Sequence, residues 1–213
     1  MKRRAVVLIG LMLSVALAQA GFVAQPYGDQ TVAADGSVTL QQGGVIRDNK
    51  RGYSIDAKFI QYKDNEFLKA TDAKIKNNTG QTINAKSVDY TIKNDRMNIA
   101  GPLAYGDNNV KGLVAQKSVA YPDRKQIVAL GGVKAQSPSF KADAVAFDAN
   151  RNLAFLYGNF EYTSNDGKTN RGNSSESALL VDYTNKDKPL IKLGKAISAD
   201  VQANFVKLIQ QSR

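Results

Sequence analysis

The chain repeats itself, and that constrains its fold more than any other feature. KSVDYTIKNDRMNIAG (86–101) and KSVAYPDRKQIVALGG (117–132) align without a gap 31 positions apart. The KSV runs coincide, Tyr90 falls on Tyr121, Met97 on Val128, Ile99 on Leu130 and Gly101 on Gly132. A unit of this length cannot cover its own apolar face, so successive units must stack or pair. An aromatic anchor recurs at Tyr62, Tyr90, Tyr121, Phe147 and Tyr183. An Ala usually stands five residues before it, as in DAKFIQY (56–62), NAKSVDY (84–90) and KADAVAF (141–147). A Gly stands eleven after it at Gly101, Gly132, Gly158 and Gly194, with Ala73 in that place in the first unit. LQQGGVIRD (40–48) echoes LGGVKAQ (130–136), and the polar stretch SNDGKTNRGNSS (164–175) lengthens the last interval.

Within each unit the apolar residues alternate. Met97, Ile99, Gly101, Leu103 and Tyr105 fall on one side of 97–105; Val88, Tyr90 and Ile92 and then Leu153, Phe155 and Tyr157 repeat the pattern. A period of two is that of a strand with one buried face. Pro102 inside such a run fits an edge or a bulge. Turn-forming clusters separate the runs: KDNE (63–66), NNTGQ (77–81), KND (93–95), GDNN (106–109), PDRK (122–125), DANRN (148–152) and NDGK (165–168). Each unit is therefore two strands joined by a polar turn, with the Gly where the backbone bends or approaches a neighbour. The expected fold class is all-β, built from repeated hairpins as a sandwich, a roll or a stacked solenoid. SADVQANFVKLIQ (198–210) places Val201, Phe205, Leu208 and Ile209 at helical spacing behind a capping Ser198, which predicts a short C-terminal helix or capping segment; SADVQANF also echoes KADAVAF, so a strand is the alternative.

The first twenty residues have a different character. Lys2, Arg3 and Arg4 precede the apolar run AVVLIGLMLSVAL (5–17) and the small-x-small site Ala18-Gln19-Ala20, the layout of a secretory signal peptide. The expected organisation is a cleaved signal over 1–20 and one β domain over 21–213, with a repeat core at about 30–200; an uncleaved N-terminal anchor is the alternative. Cleavage leaves 26 basic against 19 acidic residues and no cysteine, so no disulfide supports the fold. The basic excess suits an anionic partner, and export disfavours nucleic acid; phospholipid headgroups, phosphorylated glycolipids and acidic wall polymers remain.

Enzyme chemistry finds little in this composition. The chain has no His and no Cys, the commonest general base, nucleophile and metal ligands. Asp89, Asp143 and Asp182 are the carboxylates that recur in the repeat, and their expected role is a solvated one. NDGK lacks the ligand spacing of a calcium loop. No catalytic residue, metal or cofactor is expected.

The repeat pattern, with its signal peptide, resembles the periplasmic OstA-like proteins of lipopolysaccharide transport, in their soluble bridging form. KADAVAFDANRNLAFLYGNF (141–160), VAQKSVAYPDRKQIVALGGV (114–133) and NAKSVDYTIKNDRMNIAGPL (84–103) carry the resemblance, through rhythm and not through a catalytic signature. It implies a twisted antiparallel β-jellyroll whose groove takes the acyl chains of lipopolysaccharide or a related envelope lipid. It also implies edge-strand pairing with related β-jellyroll proteins or head-to-tail with further copies, in outer-membrane assembly.

On that resemblance the groove is expected to be lined by Phe59, Tyr62, Tyr90, Met97, Ile99, Leu103, Tyr121, Leu130, Phe147, Phe155, Tyr157, Phe160 and Tyr183. Arg47, Lys50, Arg51, Arg124 and Lys125 are the candidates to meet an anionic headgroup. Two rival readings stand beside the lipid carrier: an envelope scaffold that self-associates or binds wall polymer, and a β-solenoid polysaccharide-active enzyme using two carboxylates.

Overall fold

In the computed structural model the described residues are 21–78, 80–106, 110–164, 166–185 and 188–213. The expected signal segment at 1–20 lies outside them. Among the described residues fifteen strands form one antiparallel sheet: β1 (Val23–Pro26), β2 (Gln30–Val32), β3 (Val38–Leu40), β4 (Gly44–Asp48), β5 (Tyr53–Lys63), β6 (Phe67–Asn77), β7 (Thr82–Thr91), β8 (Arg96–Gly106), β9 (Leu113–Tyr121), β10 (Gln126–Ala135), β11 (Ser139–Asp148), β12 (Leu153–Thr163), β13 (Thr169–Gly172), β14 (Ala178–Asp182) and β15 (Leu190–Leu193). One helix, α1 (Ala199–Ser212), follows. From β4 to β12 each strand pairs with the next in sequence, a plain meander, and β14 and β15 continue it. The sheet is open, and the fold is an all-β roll of repeated hairpins. No helix among the described residues is long and apolar enough to cross a membrane, which says nothing of strands.

A crease runs across the long strands. In β5 the interior face holds Tyr53, Ile55 and Ala57, then Ile60 and Tyr62; the parity changes once, between 57 and 60. β6 does the same between Ala70 and Ala73, where Asp72 takes φ 49°. β10 bends at Gly131-Gly132, with a register shift between Leu130 and Val133, and β12 at Gly158, with φ 86°; in both the interior face keeps its parity, through Ala129, Val133 and Ala135 and through Ala154, Leu156, Phe160 and Tyr162. A bulge adds twist and bends the strand, and aligned bulges turn a sheet over on itself. The repeated Gly is thus a mid-strand corner and not a strand end. The one unit without Gly uses Asp72, beside Ala73, for the same left-handed step. Gly43-Gly44 is the same corner again, splitting β3 from β4; the two pair with the two halves of β5. In β8 the corner falls at Gly101-Pro102, where a Cβ on Gly101 would stand 2.3 Å from the Gln116 carbonyl oxygen. Of the two expectations for Pro102, an edge or a bulge, the structure has the bulge: β8 is paired on both sides and its register shifts there.

Folding along the crease makes two layers that share one interior. Tyr90, Leu68, Ile60, Ile55, Ile99 and Val145 are within 2 % of full burial there. Each such side chain contributes about 1.5–3 kcal/mol. Both ends of a creased strand then lie on the same side of the molecule. Arg51, before β5, reaches Asp123, between β9 and β10, and Tyr105 near the end of β8 faces Phe147 near the end of β11 with ring centroids 6.4 Å apart.

The C-terminal half buries both faces. Val119, Tyr121, Val128, Leu130, Ala144, Ala146, Phe155, Ala178 and Leu180 form a second core on the outer face, under Phe205, Leu208 and Ile209 of α1. Phe155 and Phe205 stack at 5.0 Å with 6° between the rings. The Arg96 guanidinium donates to the Gln211 carbonyl, Lys117 Nζ donates to the Arg213 carbonyl, and the Tyr121 hydroxyl bonds Ser212 Oγ at 2.9 Å. Two cations thereby meet the negative end of the helix dipole. Ser198 occupies the N-cap position as expected, but its side chain makes no capping bond. The stretch read as a polar loop (164–175) contains β13, paired with β12.

Candidate functional site

Between the two layers is a cleft of about 600 Å³. One wall comes from β6 to β8 just inside their turns: Ile75, Ile83 and Tyr105 are consecutive register partners across the sheet. The opposite wall is a second row of register partners, Met97, Ala120, Ile127 and Phe147, from β8 to β11. Leu153, Tyr183, Tyr53, Ile99 and Val110 complete the apolar lining. Ile83, Tyr105, Ala120, Ile127, Phe147 and Tyr183 are only half-buried, although strand alternation points them inward; Leu153, also half-buried, has the parity of Phe155 and packs against the outer core at the edge of the cleft. The rim is polar: Asn77, Asn78, Gln81, Gln126, Asn150 and Asn152, with Arg51 and Lys125.

Arg51 ties the layers together at the mouth. Its Nη1 donates to Asp48 Oδ2 at 2.9 Å, and its Nε and Nη2 donate to the two oxygens of Asp123 at 2.7 and 3.2 Å. The guanidinium lies 5.7 Å from the Tyr90 ring centre. Burial works against its charge, but the bonds to Asp123 and Asp48 more than offset this and hold its pKa above the ordinary arginine value. The network continues: the Asp123 N–H donates to Asp95, which pairs with Arg124 at 3.6 Å, and Arg124 lies 3.9 Å over Tyr121. On the far side Asp148 accepts from Arg151 Nε, Gln126 Nε2 and the N–H groups of Asn150 and Arg151. Lys125 differs. It lines the mouth, is exposed, has φ 52°, and has no carboxylate within ion-pair distance among the described residues.

The expected groove residues separate into four groups. Met97, Ile99, Phe147 and Tyr183 line the cleft. Tyr62, Tyr90, Leu103 and Phe160 lie in the shared interior but are packed solid. Tyr121, Leu130, Phe155 and Tyr157 are on the opposite face, in or against the core under α1, so they do not line the groove. Phe59 sits in the corner of β5, half-buried, and Ile60 takes its expected place inside.

For Tyr121 and Leu130 the reason is a slip of one residue; Phe155 and Tyr157 lie on a strand buried on both faces, where alternation does not say which face is the interior. The turn residues with left-handed backbone between paired long strands are Asn65, Asp95, Lys125 and Asn152. Asp95 and Lys125 are 30 apart, not 31. Counted from the turns, Tyr90 corresponds to Ala120 and Met97 to Ile127, and all four face the interior. The gapless alignment at 31 lands on Tyr121 and Val128, one position on, and one position flips the face. Ala120 and Ile127 were missed for the same reason.

Of the headgroup candidates, Arg51 and Lys125 line the cleft mouth. Arg47 bonds Gln25 Oε1 on the outside of β4, Arg124 is held by Asp95 and Tyr121, and Lys50 lies beside Phe22 and Asn65. The recurring carboxylates are dispersed. Asp89 is exposed, Asp143 accepts from the N–H and side chain of Asn159, and Asp182 accepts from the Thr184 N–H. No group of three potential metal ligands occurs among the described residues. The end strands of the meander, β1 and β15, expose Val23, Leu190 and Leu193. Comparison with protein-family models and with curated proteins found no match.

Proposed function

We propose that the protein is a non-catalytic lipid carrier of the cell envelope, exported to the periplasm, which shields acyl chain from water between its two layers. The observation that carries this reading is the apolar cleft. Most of the interior is filled by the chain's own side chains, yet two rows of aliphatic and aromatic residues face each other across open space. Exposed apolar surface of this kind marks a binding site, because leaving it in water is costly. Each methylene moved into it from water contributes about 0.8 kcal/mol. The resemblance to OstA-like proteins makes lipopolysaccharide or a related anionic glycolipid the first class of guest to try. It also assigns the open edges of β1 and β15 to pairing with related β-jellyroll proteins or further copies.

The test is to incubate the purified protein with an envelope lipid extract, re-isolate it and identify co-purifying lipid by mass spectrometry. Ala120→Phe places a ring in the cleft between Met97 and Ile127. It is expected to abolish lipid recovery while leaving the melting temperature within a few degrees. Equal recovery by wild type and Ala120→Phe, or none by either, refutes the reading.

A further inference from the structure

The cleft has room for one hydrocarbon chain. A methylene takes about the volume of a liquid-water molecule, roughly 30 Å³, so about 600 Å³ holds on the order of twenty carbons. That is one long acyl chain, and far less than the several chains of a lipopolysaccharide anchor.

The mouth selects by charge. The acidic groups around it are already engaged: Asp48 and Asp123 with Arg51, Asp148 with Arg151. Lys125 has no such partner among the described residues: Arg51, Arg151 and Lys125 balance Asp48, Asp123 and Asp148 in total, but the acids are held by the two arginines, so the rim presents one unpaired ammonium beside neutral amides. Its backbone adds a second observation. The equivalent turn positions hold Asn65, Asp95 and Asn152, residue types that tolerate left-handed φ by bonding locally. Lysine gains nothing there from the backbone, so its presence is accounted for by its side chain.

We propose that the guest is a single-chain anionic amphiphile, its one acyl chain of about 16–18 carbons between the layers and its carboxylate or phosphate at Lys125. This rests on the carrier reading above and puts a one-chain lipid in place of lipopolysaccharide as its guest.

The experiment is native mass spectrometry and fluorescent fatty-acid displacement on the full exported chain. The probes are palmitate, palmitoyl-lysophosphatidylglycerol, zwitterionic palmitoyl-lysophosphatidylcholine, dipalmitoylphosphatidylglycerol and a hexa-acylated lipid A. Both single-chain anions are expected to bind one to one, tighter than the two-chain and six-chain lipids; the two single-chain arms tell carboxylate from phosphate. Lys125→Asn suits the turn and should not lower the melting temperature. It is expected to weaken the anionic single-chain probes about fivefold, as an exposed ion pair would, and to leave the zwitterion unchanged. Tighter binding of the lipid A would overturn the single-chain assignment and leave the carrier standing. Equal affinity of wild type and Lys125→Asn for the anions would overturn the role of Lys125. Absence of binding by every probe would overturn the carrier itself.

Discussion

Arg51 offers a sharp test of how the two layers hold together. It makes two ion pairs of very different character. Asp48 is 4 % exposed and Asp123 46 %, while the Arg51 side chain is 12 % exposed. Replacing Arg51 by Met keeps most of the aliphatic packing but leaves the Asp48 carboxylate buried without its cation. Removing one partner of a buried pair costs about 3–5 kcal/mol. Asp48 retains the N–H of residue 51, a backbone bond at 2.9 Å that survives any substitution there, so the lower end applies. The Asp123 arm sits in solvent and contributes about 0–1 kcal/mol. Arg51→Met is therefore expected to lose about 3 kcal/mol and Asp123→Asn about 1 kcal/mol or less, with a coupling no larger than the smaller loss in the double variant. Urea unfolding at equilibrium, followed by far-ultraviolet circular dichroism, measures all three. Equal losses in the two single variants would show that bridging the mouth, and not burial of Asp48, is what Arg51 supplies. A loss below 1 kcal/mol in Arg51→Met would refute the argument outright.

Two further outcomes follow from the same geometry. Phe205 is 1 % exposed and stacked on Phe155, so Phe205→Ala should cost about 3–5 kcal/mol; a smaller loss by thermal or urea unfolding would mean that α1 is only loosely held. Hydrogen bonds to Asp35 from Ser37 and to Asp182 from Thr184, and those from Arg171 to Glu161, hold these three carboxyls below their ordinary values. Their contribution is complete above the unfolded values near pH 4 and is lost as pH falls through the lower folded values. The melting temperature should stay level from pH 7 to 5 and drop below about pH 4; a drop already under way at pH 6 would point elsewhere.

The strands were legible because their residues alternate and their turns are rich in Asn, Asp and Gly, both local properties. The crease was half legible. The spacing rule located Gly101, Gly132 and Gly158, but a glycine at a strand end and one at a mid-strand corner look alike until register is known. The last glycine of the series, Gly194, begins a turn into α1 and creases nothing. The second core was signalled by a feature other than alternation: AVAF (144–147), LAFL (153–156) and ALLV (178–181) are unbroken apolar runs, as expected of strands buried on both faces. Their partner is the apolar side of α1, far along the chain, and no local pattern says which face of which strand it covers. The cleft was least legible. Whether an inward Ile meets another side chain or open space depends on the separation of the layers, and that is set by the corners of strands dozens of residues apart.

The meander has a consequence for size. Strands lie about 4.8 Å apart across a sheet, and each hairpin here contributes a section of both walls at once. Duplicating one unit would extend the trough by roughly 10 Å without repacking what already exists, since the newcomer meets only its two flanking neighbours. Capacity in such an architecture is counted in hairpins, so a relative with more of them could house a bulkier cargo by the same construction.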